Sequence, residues 1–434
     1  MSFSKKTISK ILILLLVVTG YGITGCDVLD VNNPNNLVED DLDNPVAAPA
    51  IANGAEATLT NALGEILGPY STATDELTWI GTRDAWQQLD QGEVDDPLNE
   101  FVDVGFQYVG EARWTADEAI RRLEGFRSEG TLEDERPLVR SYFYGAVIYT
   151  TIADLFDNFA LSDREAASPA IGEANMDELY DVAIDYLSKG LELSPDGSEE
   201  WQARLLALRA RVHYSKALWS KLNPAVEDND ILVQSSAAAE DAKAALDMVG
   251  SGSDWRYQLQ TTPETESNAM AYQVNERLEL RVGDAYIQPT ADNAKVDKVT
   301  LLDPVDEIPA PALASAIDEF VTANEYADFV VVSARELHLI IAEDALAGKD
   351  RPAFRNAINA IRHLDGLSDY TGQVPAEEML EHSRRTNLFL QGRRLADLYR
   401  FGQASPEWLE SRVSTGTFFP ITITEIRSNP NINL

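Results

Sequence analysis

Amphipathic periodicity is the sequence feature that most limits the folds open to this chain of 434 residues. Apolar residues recur at spacings of three and four along several long segments, and this spacing places them on one side of an α-helix. Several of the segments begin with proline or directly after Asp or Ser, the residues favoured at helix starts. The predicted helices span 45–67, 97–126, 137–159, 176–193, 199–222, 235–249, 333–347, 351–364 and 376–401. The pattern therefore predicts an all-α-dominated fold.

The middle and C-terminal helices come in pairs. The helix at 199–222 is followed by the one at 235–249, and the helix at 333–347 by the one at 351–364. The second pair has the short turn, alanine-rich faces and length of a tetratricopeptide-like hairpin, whose period is about 34 residues. We therefore expect a helical-repeat scaffold over about 45–249 and 331–434.

The stretch at about 250–330 interrupts the helical pattern and is rich in Asp, Thr, Pro and Asn. Within it, the segment ERLELRVGDAYIQ alternates apolar and polar residues, which indicates a short strand or hairpin. Loops held by a rigid scaffold often carry binding residues. We expect an inserted, loop-rich lobe with short β-hairpins that contributes to a binding surface.

The N-terminus has the features of a secretion signal. Three lysines precede the apolar run 11–18, which is shorter than the roughly 20 apolar residues needed to span a bilayer. Residues 23–26, ITGC, are similar to a bacterial lipobox, in which the thiol of Cys26 is acylated and cleavage leaves Cys26 as the new N-terminus. As the only cysteine, Cys26 has no partner for an internal disulfide. An ordinary signal peptide with a chance cysteine is the alternative.

These features predict the domain organisation. Residues 1–25 are a lipoprotein signal peptide, residues 26–44 a lipidated N-terminus and tether rich in Pro, Asn and Asp, and residues 45–434 one domain. Stable anchoring requires more than one acyl chain, because each buried methylene contributes only about 0.8 kcal/mol.

The chain is strongly acidic, with 72 Asp and Glu against 35 Lys and Arg and a formal net charge of −37 at pH 7. A negative field disfavours nucleic acid and other anionic ligands. Only 10 of the basic residues are lysine, and such an acidic, lysine-poor surface is typical of a source rich in salt, where charge repulsion is screened.

Four segments resemble the SusD/RagB family of outer-membrane lipoproteins. They are the mature N-terminus GCDVLDVNNPN, the helices SARELHLIIAEDALAGKD and RRTNLFLQGRRLADLYRFG, and the closing segment FFPITITEIRSNPNINL. The matching positions are Glu336, Ala342, Glu343, Arg384, Arg385, Gly392, Arg394, Asp397, Leu398, Arg400, Gly402, Pro420, Ile421, Glu425, Asn429 and Pro430. Gln391 departs from the family, which usually has Glu there, and this puts a local buried ion pair in doubt. From the helical spacing of Arg393, Arg394 and Asp397, we expect these residues to fix their helix to the closing segment.

The resemblance implies a SusD-like helical superhelix and a function in nutrient uptake. Members bind an oligosaccharide or peptide at the cell exterior while anchored to the outer membrane, and they deliver it to a SusC-like TonB-dependent barrel. Two other functions stay open at this point. One is a helical-repeat scaffold for envelope assembly, and the other is a surface glycan hydrolase.

No catalytic motif supports the hydrolase alternative, so we expect no enzymatic activity and no cofactor. The chain lacks HExxH, GxSxG and P-loop motifs, and its four histidines have no paired ligand spacing. The acidic runs EDDLD and EDND lack the ordered ligands and glycine of a calcium loop, so we expect no metal site.

Aromatic and hydrogen-bonding residues in two segments are the candidates for ligand binding, because sugar rings stack on aromatic faces. The resemblance implies that the ligand surface combines the segment after the first helix with the inserted lobe. The candidates are Asp75, Trp79, Arg83 and Trp86 in the first segment, and Trp255, Tyr257 and Tyr286 in the lobe. We expect them to form one exposed groove, although each aromatic residue could instead belong to the core.

Overall fold

A computed structural model describes residues 42–163, 166–194, 198–222, 231–263 and 266–432. The predicted signal peptide, Cys26 and most of the tether lie outside the described residues. The chain divides into two units between Ala47 and Ala48. In the first unit, a 3-10 helix spans Pro45–Ala47. Every element below belongs to the second unit.

Helices make up most of the second unit, as the periodicity predicts. In chain order they are α1 (Ala48–Thr72), α2 (Asp84–Asp90), α3 (Glu100–Ser128), α4 (Arg136–Leu155), α5 (Glu178–Leu193), α6 (Glu199–Leu222), α7 (Ser236–Val249), α8 (Ala269–Asn275), α9 (Pro311–Thr322), α10 (Ala334–Ala347), α11 (Arg351–Leu364), α12 (Ala376–Asn387), α13 (Arg394–Arg400) and α14 (Ile423–Ser428), with a second 3-10 helix at Glu173–Asn175.

The described strands are short and form two-stranded antiparallel sheets. They are β1 (Leu77–Trp79), β2 (Arg256–Leu259), β3 (Leu280–Val282), β4 (Ile287–Pro289), β5 (Val296–Val299) and β6 (Phe329–Ser333). β1 pairs with β3, β2 with β6, and β4 with β5 as a hairpin. The predicted all-α-dominated class with short β-hairpins is confirmed.

Helices that are close in the chain pack against one another in pairs. The most extensive contacts join α1 to α3, α4 to α5, α6 to α7 and α10 to α11. α10 also packs on α7 and α6, so the C-terminal pair continues the array of the N-terminal helices. The apolar faces between α10, α11 and α12 are buried, including Leu339, Ile358 and Met379, which are completely inaccessible.

Side-chain caps explain where several helices begin. The side chain of Asn99 accepts hydrogen bonds from the first amides of α3, and Ser235, Ser333 and Asp350 do the same for α7, α10 and α11. Each cap satisfies backbone donors that have no partner within the helix. For α7 and α10 the predicted first residue is the capping serine itself.

The single helix predicted over 376–401 is wrong, because the chain turns between α12 and α13. Leu390 and Gly392 have φ angles of 58° and 71°, in the left-handed region that ends an α-helix. A Cβ atom at Gly392 would lie 3.0 Å from Leu67 Cδ2, so glycine also allows the turn to approach α1. The turn starts α13 in a new direction.

The segment 250–330 contains more regular structure than the sequence predicts. It includes α8 and α9 as well as strands β2 to β5, and the first residues of β6. The segment ERLELRVGDAYIQ does form strands, but β3 pairs with β1 of the helical part and only β4 belongs to a hairpin. We call this segment the inserted lobe.

Among the helices of the described residues, none combines the length and the apolar character needed to cross a membrane.

Candidate ligand-binding site

The arginine-rich segment forms buried ion pairs within the scaffold. Arg384 and Arg400 both donate to Asp397, and Arg400 also donates to Glu343. These side chains are at most 4% exposed. The expected structural role is therefore observed, although the partners differ from the prediction.

The expectation that Arg393, Arg394 and Asp397 fix their helix to the closing segment is wrong, because that helix contacts the segment through the ring of Tyr399, which packs edge-on against Phe418. Arg393 reaches Asp154 and Glu336, and Arg394 donates two hydrogen bonds of 2.8 Å to Asp75. The backbone amide and hydroxyl of Thr424 in the closing segment instead donate to Asp103 of α3. The sequence spacing alone could not identify these long-range partners.

Asp75 and Tyr286 lie together, but in the core. The Tyr286 hydroxyl donates to Asp75 Oδ1 at 3.0 Å, and the exposed fractions are 5% for Asp75 and 0% for Tyr286. Burial opposes ionisation of Asp75, but hydrogen bonds from Arg394 and the charge of Arg385 outweigh it and hold the Asp75 pKa below its usual value. The predicted exposure of these two residues is wrong, because they form a buried contact between the inserted lobe and the chain after α1.

Trp86 is also a core residue, which corrects its placement in an exposed groove. Its ring is 3% exposed and stacks on Phe101, with 3.8 Å between ring centroids. Arg83 is exposed, pairs with Glu100 and lies over the Phe101 ring at 5.2 Å. Trp79, on β1, is partly buried. The first predicted segment therefore keeps Trp79 and Arg83 accessible to solvent.

Trp255 and Tyr257 are partly buried, on and beside β2. Tyr257 packs edge-on against Phe143 of α4 and lies under the Arg204 guanidinium, 4.4 Å from the ring centroid. Trp86 and Tyr286 have different neighbours, Phe101 and Phe389 respectively. The seven predicted residues thus occupy three separate clusters, and the single groove is not observed.

A cavity of about 330 Å³ lies between the helical scaffold and the inserted lobe. We call it the interlobe cavity. The scaffold contributes apolar side chains of α1 and α4, and the lobe contributes β2 and α9. Its lining includes Leu63, Leu67, Thr151, Arg211, Asp254, Arg256, Gln258, Ser315, Glu319, Phe320, Asp328, Arg335, Asp365, Asn387, Phe389, Gln391 and Arg393. Its volume is near the lower end of the range for small-molecule sites, about 300–1,000 Å³.

Strand alternation decides which part of β2 reaches the interlobe cavity. Arg256 and Gln258 line it, whereas Tyr257 between them packs on the helices. Successive side chains of a strand point to opposite faces, so the aromatic residue predicted as a ligand contact faces away. The polar residues beside it, which the sequence analysis did not select, face the cavity.

One wall of the interlobe cavity is fixed by Arg335. Its guanidinium donates to Asp254, Asp365 and Asn387, each at 2.8–2.9 Å. Hydrogen bonding from Arg335 is the main cause that holds the Asp254 pKa below its usual value. These contacts join the start of the lobe to α10, α11 and α12.

The mouth of the cavity carries a second ion pair. Arg256 Nη1 lies 3.0 Å from Glu319 Oε2, and the two side chains are 44% and 48% exposed. Because solvent screens such pairs, this contact contributes only about 0–1 kcal/mol and can open at low cost. Ser315 is exposed beside Glu319 on α9.

Deeper in the cavity, the side-chain amide of Gln391 is only half satisfied. Its Nε2 donates to the Asn387 carbonyl at 3.2 Å. Its Oε1 is inaccessible to solvent and has no hydrogen-bond partner. A buried acceptor without a partner is costly, so this amide is a locally unfavourable feature of the turn between α12 and α13.

The arrangement is suited to binding a small polar molecule. The described residues include no cluster of His, Cys, Asp and Glu that could hold a metal ion. Apolar side chains such as Phe389 and Phe320 supply contact area, and fixed polar groups supply direction, as in small-molecule sites generally.

Solved structures with the same architecture cover nearly the whole chain. A SusD superfamily protein from Bacteroides thetaiotaomicron VPI-5482 matches with a TM-score of 0.63 and 14% identity, over 90% of this chain and 99% of that one. The chain has the SusD fold. A SusD superfamily protein from Parabacteroides distasonis ATCC 8503 matches with a TM-score of 0.58 and 16% identity, over 92% and 99% of the two chains.

A third match to the SusD fold is a SusD-like carbohydrate binding protein from Bacteroides vulgatus ATCC 8482. Its TM-score is 0.56 and its identity 14%, over 90% of this chain and 97% of that one. No protein-family model matches the sequence, and no curated protein matches it. The resemblance expected from four short segments is therefore confirmed through the fold, at a sequence identity too low for overall sequence similarity to reveal it.

Proposed function

We propose that this protein is a nutrient-binding lipoprotein that captures a saccharide and breaks no bond in it. The observation that carries the proposal is the interlobe cavity, which lies inside a SusD fold and combines apolar side chains with fixed polar groups. A neighbour with the same fold is described as a carbohydrate binding protein. Binding energy comes from contact with the apolar wall and from directed hydrogen bonds.

The test is a binding screen on a soluble fragment without the anchor, residues 27–434, with glycans and peptides as separate arms. We expect binding to at least one carbohydrate, measured by calorimetry, with no release of reducing ends on prolonged incubation. Binding to peptides but to no carbohydrate would show that the ligand is a peptide and not a saccharide. Release of reducing ends that persists after further purification would contradict the proposal that no bond is broken.

The proposed location is the exterior face of the outer membrane, with acylated Cys26 as anchor and a SusC-like TonB-dependent barrel as partner. The lipobox-like ITGC motif and the SusD fold support this arrangement. We expect gentle detergent extraction from the native source to yield a complex with a much larger barrel protein. Extraction that yields only the monomer, although the barrel is expressed, would argue against it.

Three predicted ligand contacts outside the core are kept as secondary positions in this proposal. Trp79, Arg83 and Trp255 retain surface accessible to solvent. They would contact those parts of a longer ligand that extend beyond the cavity. Substitution of Trp255 is the direct test, because this partly buried residue lies next to β2, which lines the cavity.

A further inference from the structure

The interlobe cavity contains a carboxylate that no cationic side chain neutralises. Asp328 directly precedes β6, lines the cavity and is partly buried. Its Oδ1 accepts a hydrogen bond from the Thr261 backbone amide at 2.9 Å, which fixes the orientation of the carboxyl group. Within the described part of the chain, this amide is the only group bound to the carboxylate, and no Arg, Lys or His forms an ion pair with it. Asp328 Oδ2 is therefore available to a ligand.

The other charged residues around the cavity do not supply the missing cation. The ion pair at the mouth is balanced, with one positive and one negative side chain. Arg335 contacts two carboxylates, so that group has an excess of one negative charge. Arg211 pairs with Glu336 behind the lining, and Arg393 contacts the same Glu336 as well as Asp154. With the unpaired carboxylate included, four arginines lie among six carboxylates, and the formal charge of the site favours a cation.

The field of the whole chain has the same sign. Its formal net charge is −37 at pH 7, and a concave site concentrates such a field. An anionic ligand would be repelled by Asp328 and would have to displace a carboxylate from one of the arginines. A neutral ligand would leave the Asp328 carboxylate without a counter-charge. A ligand ammonium group, in contrast, would form a charge-assisted hydrogen bond with Oδ2.

The side chain of Gln258 lies close enough to Asp328 to contact the same ligand. Gln258 of β2 pairs with Val330, two residues after Asp328, and all three residues line the cavity. Residues two apart along a strand share a face, and diagonal neighbours on antiparallel strands lie about 7–8 Å apart. One sugar residue with its substituents spans such a distance. An amine on the ring can therefore meet the carboxylate while a hydroxyl meets the Gln258 amide.

We propose that the interlobe cavity selects a saccharide with a protonated amine, and that Asp328 binds the ammonium group while Gln258 contacts a neighbouring hydroxyl. This inference rests on the proposed function and specifies the ligand class as an amino sugar with a free amine. An N-acetylated sugar would lack this contact, because its amide carries no charge. The inference assigns charge selection to a residue of the inserted lobe that the sequence analysis did not single out.

The experiment compares Asp328→Asn with the unmodified soluble fragment, which contains every described residue. The substitution removes the charge, whereas the amide oxygen can still accept the hydrogen bond from Thr261. Asp96→Asn is the matched control. Asp96 Oδ1 also accepts a hydrogen bond from a backbone amide at 2.9 Å, that of Leu98, and Asp96 is partly buried but does not line the cavity.

The probes are matched sugars that differ in the group at one position of each ring. D-glucosamine is compared with D-glucose, D-galactosamine with D-galactose, and the deacetylated dimer of chitin with cellobiose. N-acetyl-D-glucosamine tests the uncharged amide, D-glucuronate the opposite charge, and L-lysine an ammonium group without a sugar ring. Titrations are carried out in mildly acidic buffer, in which the amines are protonated.

Calorimetry measures the affinities, and thermal melting checks that each variant is folded. At low ionic strength we expect the amino sugar to bind about five- to twentyfold more tightly than its neutral counterpart, between the strengths of an exposed ion pair and a buried charged hydrogen bond. Added salt should reduce this ratio by screening the pair. Asp328→Asn should bring the ratio close to one, and Asp96→Asn should leave it unchanged. Gln258→Ala should weaken the binding of both members of a pair about equally.

Four results would overturn the inference. They are neutral sugars that bind as tightly as their amino counterparts or more tightly, a ratio that persists in Asp328→Asn, tighter binding of D-glucuronate than of every amino sugar, and binding of L-lysine as tight as that of the best amino sugar. In the first three cases the protein still binds carbohydrate, so the proposed function stands and only the charge assignment fails. In the fourth, the cavity recognises an amine and not a sugar. If no probe and no glycan in the wider screen binds, the proposed function itself fails.

Discussion

Glu343 is the position where a single substitution tests most directly how the scaffold is held together. Its carboxylate is completely buried and accepts hydrogen bonds from Arg400, from the Tyr214 hydroxyl at 2.7 Å and from the Val233 amide at 2.9 Å. It thus joins α10 to α13, to α6 and to the chain before α7. Glu343→Ala removes all of these contacts and leaves their donors in the core.

The expected loss of stability follows from those partners. Breaking a buried ion pair from one side costs about 3–5 kcal/mol, because a charge is left without compensation. Arg400 keeps its 2.9 Å contact with Asp397, which places this part of the cost near the lower limit. The Val233 amide adds about 1–3 kcal/mol if it stays unpaired. We expect a total of about 3–6 kcal/mol in the free energy of unfolding.

Differential scanning calorimetry measures the effect as a change in melting temperature. For a domain of about 390 residues, the unfolding entropy is roughly 0.8 kcal/mol per degree, so the expected decrease is about 4–7 °C. Glu135→Ala is the control, since Glu135 pairs with Arg127 on the surface, with side chains 39% and 50% exposed. It should shift the melting temperature by about 1 °C or less. Equal shifts for the two variants would refute the view that the buried network stabilises this scaffold.

Three further predictions test other parts of the molecule. Burial raises the pKa of Glu76 from 4.5 to about 8. Between these two pH values the carboxyl group is protonated in the folded state and ionised in the unfolded state, so the free energy of unfolding falls as pH rises. Glu76→Gln should reduce this loss of unfolding free energy by up to about 5 kcal/mol. Urea titrations at several pH values measure it, and an unchanged pH dependence would contradict the prediction. In parallel melting experiments, Trp86→Ala should destabilise the protein by about 3–5 kcal/mol and Trp255→Ala by much less. A larger loss of stability for Trp255→Ala would show that the burial of the two residues is misassigned. Cys26→Ser should abolish retention in the outer-membrane fraction, and a processed serine variant that stays lipidated there would disprove the anchor.

Helices with long apolar stripes were predictable from the sequence, because their packing faces are encoded within each segment. α11 begins and ends at the predicted residues, and the capping serines before α7 and α10 mark their starts. α6 also has the predicted bounds, although it buries residues on opposite sides and has no single apolar stripe. α9 was missed although its buried residues Leu313, Ile317 and Phe320 have helical spacing. Proline- and aspartate-rich surroundings concealed this short stripe. The helix was therefore missed because its apolar stripe is short, and not because the helical spacing is absent.

The partners of the buried charges were not predictable, because they lie far apart in the sequence. Asp75 and Arg394 are separated by 319 positions, and a chain with 72 acidic and 35 basic residues offers many equivalent pairings. Helical spacing indicated contacts of Asp397 with Arg393 and Arg394. Asp397 instead accepts hydrogen bonds from Arg384 and Arg400, and Arg394 donates to Asp75. Composition also could not show that Tyr286 lies in the core, because the partner of its buried hydroxyl is the carboxylate of Asp75, which is equally distant in the sequence.

The interlobe cavity shows why aromatic content was a misleading guide to the site. Tyr257 is the larger and more conspicuous residue of β2, but burial of its ring against Phe143 and Arg204 contributes to the stability of the folded chain. Arg256 and Gln258 therefore face the remaining space, and apolar contact there comes from Leu63, Leu67 and Phe389 of other elements. An aromatic side chain already packed in a core has no face left for a sugar. In this fold, the groups available to a ligand are those that the packing of the core leaves facing the interlobe cavity, such as Arg256 and Gln258.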